Sequence, residues 1–168
     1  MKKILFVFVL VAILATGTAF AQVHPGGLGL GVVWSGAVSD GNFGHSGAGL
    51  SLKLPKNPVY WGIFLQGSGG NFGLGLTGDY YLYGNKFLPF LGFYLGLGGY
   101  GSFAFGDAAA IGLGARVPIG LTFQPIDIFE IFLDVAPSLG ASFWTAGDGG
   151  FDFPNFFVPI EIGIRLWL

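Results

Sequence analysis

The sequence has no cysteine and few charged residues. The absence of cysteine excludes disulfide bonds, zinc sites built from thiolates and a cysteine nucleophile. Asp, Glu, Lys and Arg together make up 10% of the chain, against roughly 25% in an ordinary soluble domain. That charge is too little to cover a surface exposed to water. A formal net charge of −2 also disfavours a nucleic-acid partner, which would need a dense basic patch.

The sequence also lacks a long apolar run of the kind that crosses a membrane as a helix, which needs roughly 17–25 residues. Its longest run, from Ile4 to Ala15, follows the basic residues Lys2 and Lys3 and precedes small residues that end at Ala21. This order is typical of a secretory signal peptide. The sequence therefore predicts a signal peptide over residues 1–21, cleaved after Ala21, and a mature protein over residues 22–168.

What the sequence has in abundance is glycine, 32 residues in all, within segments that alternate with period two. In the last of these segments, aliphatic side chains occupy every second position from Val158 to Leu168. Such alternation is the mark of strands with two different faces. Eight segments share the pattern, at residues 28–34, 48–54, 59–65, 72–82, 91–97, 111–123, 129–135 and 158–168. Their lengths are near the roughly 9–11 residues that a tilted strand needs to cross a bilayer.

The connections between these segments alternate in length. Tight turns are predicted at residues 56–58, 83–86 and 124–127, where glycine or proline occurs. Longer connections are predicted at residues 37–44, 67–71, 99–107 and 141–155, which are mostly rich in Gly, Ser and Asp. Short turns on one side and longer loops on the other are typical of outer-membrane barrels with both termini in the periplasm.

The two faces of the predicted strands differ sharply in polarity. One is almost purely aliphatic and aromatic, and the other carries the strand charges and most of the glycine. A soluble barrel of lipocalin type would place charge outside and apolar residues inside, and an aqueous exterior could not accept the apolar face. Because a bilayer forbids open sheet edges, the predicted fold is all-β, a closed eight-stranded antiparallel transmembrane β-barrel with up-and-down topology.

The C-terminus adds a family resemblance. Its residues Glu161, Gly163, Leu166 and Leu168 are spaced as in the C-terminal assembly signal of bacterial outer-membrane barrels, although such proteins usually end in Phe. The predicted mature chain resembles the small eight-stranded barrels of OmpA/OmpX type. Residues 116–120 and 132–137 are similar to a spirochaetal barrel family of unknown function. The resemblance implies a bacterial outer-membrane location, with outer-membrane lipid and the barrel-assembly machinery as partners.

Seven charged residues are predicted to point into the barrel. We expect Arg116 to lie opposite Asp134 across the turn near Pro125. If the last strand aligns Arg165 with Glu130, it also brings Glu161 level with Asp134. Buried charges must be paired, so a structural salt-bridge network is one interpretation, and a gate or ion pathway is the other. The predicted interior charges are Lys53, Asp79, Arg116, Glu130, Asp134, Glu161 and Arg165.

The evidence for catalysis in the sequence is weak. Asp40, His45 and Ser46 fall around the first outer connection, and such a set resembles the barrel acyltransferase that modifies lipid A. No nucleophile motif surrounds Ser46, however, and a triad is recognised by geometry. The two histidines, His24 and His45, do not have the spacing of a metal site. The sequence therefore predicts no enzyme, no cofactor and no metal.

Three functions remain open from the sequence. The first is a small integral outer-membrane protein with a structural or adhesin-like role, in which extracellular loops contact a host or extracellular ligand. The second is a narrow pore or a carrier for a small or apolar solute, because inward glycines could leave a cavity in the outer half of the barrel. The third is a lipid-modifying enzyme on the outer loops.

Overall fold

The computed structural model describes residues 26–39, 42–68, 71–106, 109–145 and 149–168, with the side chains of residues 42–46, 68 and 71 left aside. The predicted signal peptide, His24 and Asp40 lie outside the described residues. Within the described ranges no helix has both the length and the apolar character required to cross a membrane.

The described residues form ten β-strands, all paired antiparallel. Their bounds are β1 Gly29–Ser39, β2 Asn42–Lys53, β3 Val59–Ser68, β4 Asn71–Leu88, β5 Leu91–Phe105, β6 Ala110–Arg116, β7 Ile119–Ile126, β8 Phe129–Val135, β9 Ser138–Trp144 and β10 Gly150–Trp167. Strands β1 to β6 pair in chain order, β7 pairs with β5 and β8, β9 pairs with β6 and β10, and β8 pairs with β10. In addition β1 pairs with β10, from Gly29 opposite Trp167 to Val38 opposite Val158. The first and last strands therefore close the sheet into a barrel.

The ten strands occupy eight positions around the barrel, here called staves. Two of the staves each consist of two strands in line, separated by a break in the middle. Strands β6 and β7 both pair with β5 and are separated at Pro118, while β8 and β9 both pair with β10 and are separated at Pro137. Proline has no N–H to donate to a ladder. The breaks are bridged by neighbouring groups, since the Val117 N–H donates to the Pro137 carbonyl at 3.0 Å. The predicted eight-stranded fold is thus confirmed, with two interrupted staves.

The barrel is strongly sheared. Successive ladders connect Gly29 to Lys53, Tyr60, Asp79, Gly98, Arg116, Ser138 and Phe157. Phe157 precedes Val158, which pairs with Val38 of β1. A path that starts at Gly29 and follows the ladders once around the barrel therefore returns to β1 about ten residues further along that strand. Such a stagger belongs to strands tilted by roughly 35–45° from the barrel axis.

Several predicted connections were placed wrongly. The turn predicted at residues 83–86 lies inside β4, where the register shifts between Tyr81 and Tyr83, and the chain reverses instead at Pro89 and Phe90. The turn predicted at residues 124–127 is partly strand, since β7 runs to Ile126. The longer connections are shorter than predicted, because strands run well into all four of them. Glycine and serine, unlike proline, have a backbone N–H group as well as a C=O group, so these segments can continue the hydrogen-bonded ladder.

The two ends of the barrel differ. The turn end carries Leu28 and Leu168, whose backbones hydrogen-bond to each other, together with the connections at residues 54–58, 89–90 and 127–128. The loop end carries the connections that join β1 to β2, β3 to β4, β5 to β6 and β9 to β10. Every stave therefore runs between these two ends, and inward side chains can be ranked by their distance from the turn end.

The outer surface is apolar and the interior is polar, the reverse of a soluble protein. Large apolar side chains such as those of Val32, Ile162 and Leu166 are exposed on the outside. The buried set is dominated by polar and charged residues, including Arg116 and Glu130. This distribution fits a barrel with lipid outside and side chains packed inside.

We predict that Ile162→Arg destabilises the barrel in lipid by about 2–4 kcal/mol, the range for arginine on the lipid face near the bilayer midplane. Ile162 is 47% exposed and lies between Trp34 and Leu133 on the adjoining strands. The control is Ile128→Arg, at a position 59% exposed in a turn-end connection, where the cost should be only about 0–1 kcal/mol. Unfolding titrations in lipid vesicles measure both, and equal losses would contradict the assignment of Ile162 to the lipid face.

Candidate functional site in the barrel lumen

A buried ion cluster around Arg116 lies near mid-height in the lumen. The guanidinium Nη1 donates to the Glu161 carboxylate at 2.8 Å, and Nε lies 3.2 Å from Asp79 Oδ1. A third carboxylate, that of Asp134, lies 4.0 Å from Nη2. All four side chains, here called the Arg116 cluster, are buried, and Arg116 itself is only 2% exposed. Three carboxylates therefore surround one guanidinium.

Glycine lets these side chains meet across an intervening strand. Gly98 pairs with Asp79 on one side and Arg116 on the other, and a Cβ atom built on Gly98 would collide with the Asp79 carboxylate. Gly120 has the same place between Tyr94 and Asp134, where the Tyr94 hydroxyl donates to Asp134 Oδ2 at 2.7 Å. Small residues on one strand thus open the space in which their neighbours pair.

A second cluster lies nearer the turn end and is centred on Arg165. Its guanidinium donates to Glu130 Oε2 at 2.9 Å and to Ser51 Oγ at 2.8 Å. Glu130 also accepts hydrogen bonds from the Trp167 indole and the Thr122 hydroxyl, both at 2.8 Å. This Arg165 cluster therefore satisfies both oxygens of its carboxylate, as a buried charge requires.

Aromatic rings fill the lumen beside the Arg165 cluster. Tyr60, Tyr81 and Tyr94 form a stack, with ring centroids 4.1 and 4.3 Å apart and planes within 15° and 19° of parallel. The guanidinium of Arg165 lies over the Tyr60 ring at 5.1 Å and over the Phe132 ring at 4.6 Å. Such cation–π and stacking contacts are favourable when desolvated. This tyrosine stack and its neighbours close the turn-end half of the lumen.

The loop-end half, by contrast, holds a cavity of about 240 Å³. Arg116 and Glu161 form part of its lining on the side facing the turn end. Its walls carry hydroxyl and amide side chains together with three aromatic rings. The lining includes Ser35, Phe64, Gln66, Thr77, Ser102 and Phe157. We call this space the loop-side cavity.

The structure brings six of the seven predicted interior charges into the two clusters. Lys53 stays apart: it is half-buried, donates to the Leu54 carbonyl at 3.0 Å and lies 5.4 Å from the Tyr60 ring. Within the described residues no carboxylate lies within 4 Å of its ammonium group. Lys53 therefore sits beside the aromatic layer, outside both ion clusters.

The predicted register was partly wrong. Arg116 lies directly opposite Ser138, and Asp134 lies opposite Gly120. The difference arises because the chain reverses at residues 127–128, between β7 and β8, and not around Pro125, so each pairing is displaced by four residues. On the other side, β10 does place Arg165 opposite Glu130 and Glu161 opposite Asp134.

The residues of the predicted assembly signal alternate between the two faces. Glu161 is buried in the Arg116 cluster, and a Cβ atom on Gly163 would collide with the Phe132 ring. Leu166 and Leu168 are exposed on the outside. The part these residues play in assembly stays a prediction.

The described residues give no support to a metal site or a catalytic set. No group of three or more His, Asp or Glu side chains among them could hold a metal ion. His45 and Ser46 belong to β2, but their side chains are not among those described, and Asp40 lies outside the described residues. The triad considered from the sequence therefore has no geometry to assess.

Sequence reasoning missed two features of the lumen. Asp79 was expected to point inward, but its pairing with Arg116 follows only from the registers of two successive hairpins that meet at Gly98. The cavity hydroxyls of Ser35 and Thr77 were also missed, because single serines and threonines in a strand carry no distinctive pattern. The pairing of Asp79 with Arg116 does have a signal in the sequence, namely Gly98, which lies between the two residues in the sheet.

Comparison with known proteins supports the fold. The structure is similar to the N-terminal β-barrel domain of Pseudomonas aeruginosa OprF, with 10% identity and a TM-score of 0.51, covering 84% of this chain and 99% of that one. Two further similar structures are Neisserial surface protein A (14% identity, TM-score 0.46, 84% and 96% covered) and Ail, the attachment invasion locus protein of Yersinia pestis (15%, 0.36, 84% and 97%). No protein-family model and no curated protein matches the sequence. The chain thus has the fold of a small outer-membrane β-barrel.

We predict that Arg116→Ala costs about 3–5 kcal/mol of unfolding free energy, because it strands buried carboxylates without their cation. Removing a carboxylate as well should recover part of the loss, and more so for Glu161, at 2.8 Å, than for Asp134, at 4.0 Å. Double-mutant cycles with Glu161→Ala and Asp134→Ala measure the two coupling energies.

The control for this cycle is Lys53→Ala, which removes a cation outside both clusters and should cost about 0–1 kcal/mol, as a partly exposed charge does. Additive losses in the cycle of Arg116 with Glu161 would show that the pair contributes no net interaction.

Proposed function

We propose that this chain is an integral outer-membrane protein with a structural, surface-directed role and a lumen that does not conduct ions. The observation that carries the proposal is the closure of the turn-end half of the lumen by the tyrosine stack and the Arg165 cluster. An eight-stranded barrel is only just wide enough to be filled by its own side chains. Here the filling consists of large rings and a hydrogen-bonded ion pair.

The outer surface supports insertion in a bilayer. Apolar side chains are exposed on all eight staves, from Leu30 of β1 to Leu166 of β10. In water such a surface would drive aggregation, whereas lipid accepts it without cost. The pairing of β1 with β10 leaves no sheet edge between them, and a closed sheet is what a bilayer demands.

A closed lumen leaves the loop end as the surface for an interaction. If the protein neither conducts nor catalyses, the loop end is the part available to a partner outside the cell. A host or extracellular ligand at these connections, outer-membrane lipid around the barrel and the barrel-assembly machinery during insertion are the partners that this role implies.

The two alternative functions are a pore or carrier and a lipid-modifying enzyme. A pore or carrier would need a path through the turn-end half, and the described side chains there form continuous contacts from Tyr60 to Tyr94. A lipid-modifying enzyme would rest on Asp40, His45 and Ser46, and it stays a hypothesis for substitution experiments with an acyl-transfer assay.

We predict opposite accessibility for two matched cysteine variants, Asp152→Cys at the loop end and Asp127→Cys at the turn end. Both aspartates are exposed, and the chain has no other cysteine, so each variant carries one thiol. On intact cells, a membrane-impermeant thiol reagent should label Asp152→Cys and leave Asp127→Cys unlabelled until the outer membrane is permeabilised. Labelling of Asp127→Cys alone on intact cells would reverse the orientation.

We predict that the refolded barrel gives no discrete conductance steps in a planar bilayer. The double variant Tyr81→Ala/Tyr94→Ala, which removes two of the three stacked rings, should raise the current. The control is Tyr83→Ala, which removes a tyrosine from the exposed outer face and should behave as the unmodified protein does. Frequent steps from the unmodified barrel would contradict a closed lumen and favour the pore.

A further inference from the structure

The loop-side cavity contains polar groups that the described protein leaves unsatisfied. Ser35 and Thr77 line it and are only 7% and 8% exposed. Among the described residues, neither hydroxyl has a hydrogen-bond partner, and the same is true of the side chains of Gln66 and Ser102. An unsatisfied hydroxyl is costly, so these cavity-facing hydroxyls form their hydrogen bonds with the contents of the cavity.

The chemistry of the lining defines what can supply those bonds. Hydroxyl and amide groups both donate and accept hydrogen bonds, which suits a ligand rich in hydroxyl groups. An apolar ligand would leave Ser35 and Thr77 unsatisfied. The aromatic rings of Phe64 and Phe157 in the same wall offer flat apolar surfaces for the C–H faces of such a ligand.

The charges beside the cavity disfavour anions. The guanidinium of Arg116 already faces three carboxylates, those of Asp79, Asp134 and Glu161. The Arg116 cluster therefore carries more acidic groups than basic ones. A phosphate or carboxylate placed in this space would meet like charge.

The volume of the loop-side cavity limits the size of the ligand. A volume of about 240 Å³ is below the roughly 300–1,000 Å³ of sites for drug-sized ligands and far above the share of liquid volume of one water molecule, about 30 Å³. From these observations we propose that the loop-side cavity is a binding site for a neutral polyhydroxylated molecule of monosaccharide size. The tyrosine stack makes it a closed-ended site. The proposal goes beyond the surface role above and does not depend on it.

One glycine in the cavity wall provides a specific test. Gly75 lies between Phe64 and Ser102 in register, and a Cβ atom there would meet only Phe64, at 3.5 Å. Gly75→Leu should therefore fold and fill part of the cavity. The matched control is Gly67→Leu, at an exposed position where a Cβ atom meets nothing within 4 Å.

The experiment is saturation-transfer NMR on the chain refolded in a detergent without a sugar headgroup, with D-glucose, D-galactose and glucose 6-phosphate as probes. At least one neutral sugar should receive saturation, and glucose 6-phosphate should bind at least about tenfold more weakly. Gly75→Leu should lower the affinity at least about tenfold, while Gly67→Leu leaves it unchanged. A second variant, Thr77→Val, keeps the shape but removes a hydroxyl, so it should weaken binding roughly two- to tenfold, the equivalent of one hydrogen bond.

Three results would overturn the proposal. The first is a folded barrel that transfers saturation to neither neutral sugar, which would make the cavity a space for water only. The second is equal binding of glucose 6-phosphate. The third is unchanged sugar affinity in a folded Gly75→Leu variant, with folding judged by the heat-dependent shift on a gel. If that variant does not fold, unchanged affinity in Thr77→Val has the same meaning.

Discussion

The interior of this barrel depends on one steric constraint: in a narrow lumen, side chains of alternate strands can meet only where the strand between them carries a small residue. Gly98 allows Asp79 to reach Arg116, and Gly120 allows Tyr94 to reach Asp134. In both places a Cβ atom would occupy the space of the interaction. Much of the high glycine content is therefore the counterpart of large and charged inward side chains, as the filling of a small barrel requires.

The same constraint brings charged side chains together in the lumen, where the loss of hydration makes a charge energetically unfavourable. Arg116 and Glu161 are buried and joined at 2.8 Å, and two further carboxylates lie within 4.0 Å of the guanidinium. A buried ion pair contributes little net stability compared with apolar packing, but the loss of one partner is severe. The cluster therefore specifies the register of the strands that carry it, because a slip of one residue would turn each charge outward to the lipid.

The sequence predicted the fold class and the assignment of faces, because alternation with period two is a local property that survives on every stave. It placed Glu161 level with Asp134 on the condition that Arg165 aligns with Glu130, and the structure contains both pairings. It failed where the backbone departs from regularity. The turn placed at residues 83–86 is strand, and Arg116 faces Ser138 because the chain reverses at residues 127–128 and not around Pro125. Bulges and proline breaks depend on tertiary pairing, and a single sequence does not encode their position in any local pattern.

The two halves of the lumen follow from how side-chain size is distributed along the strands. Toward the turn end, inward positions carry large residues such as Tyr60, Tyr94 and Trp167, and their rings meet in the lumen. Toward the loop end, Gly75, Ser102 and Ser142 take the corresponding positions, and the space they leave is the cavity. Since a barrel of fixed strand number has nearly constant width, the change from large to small side chains along the axis is sufficient to convert a closed core into an open cavity. The part of this lumen with room for another molecule is thus the part with the smallest residues.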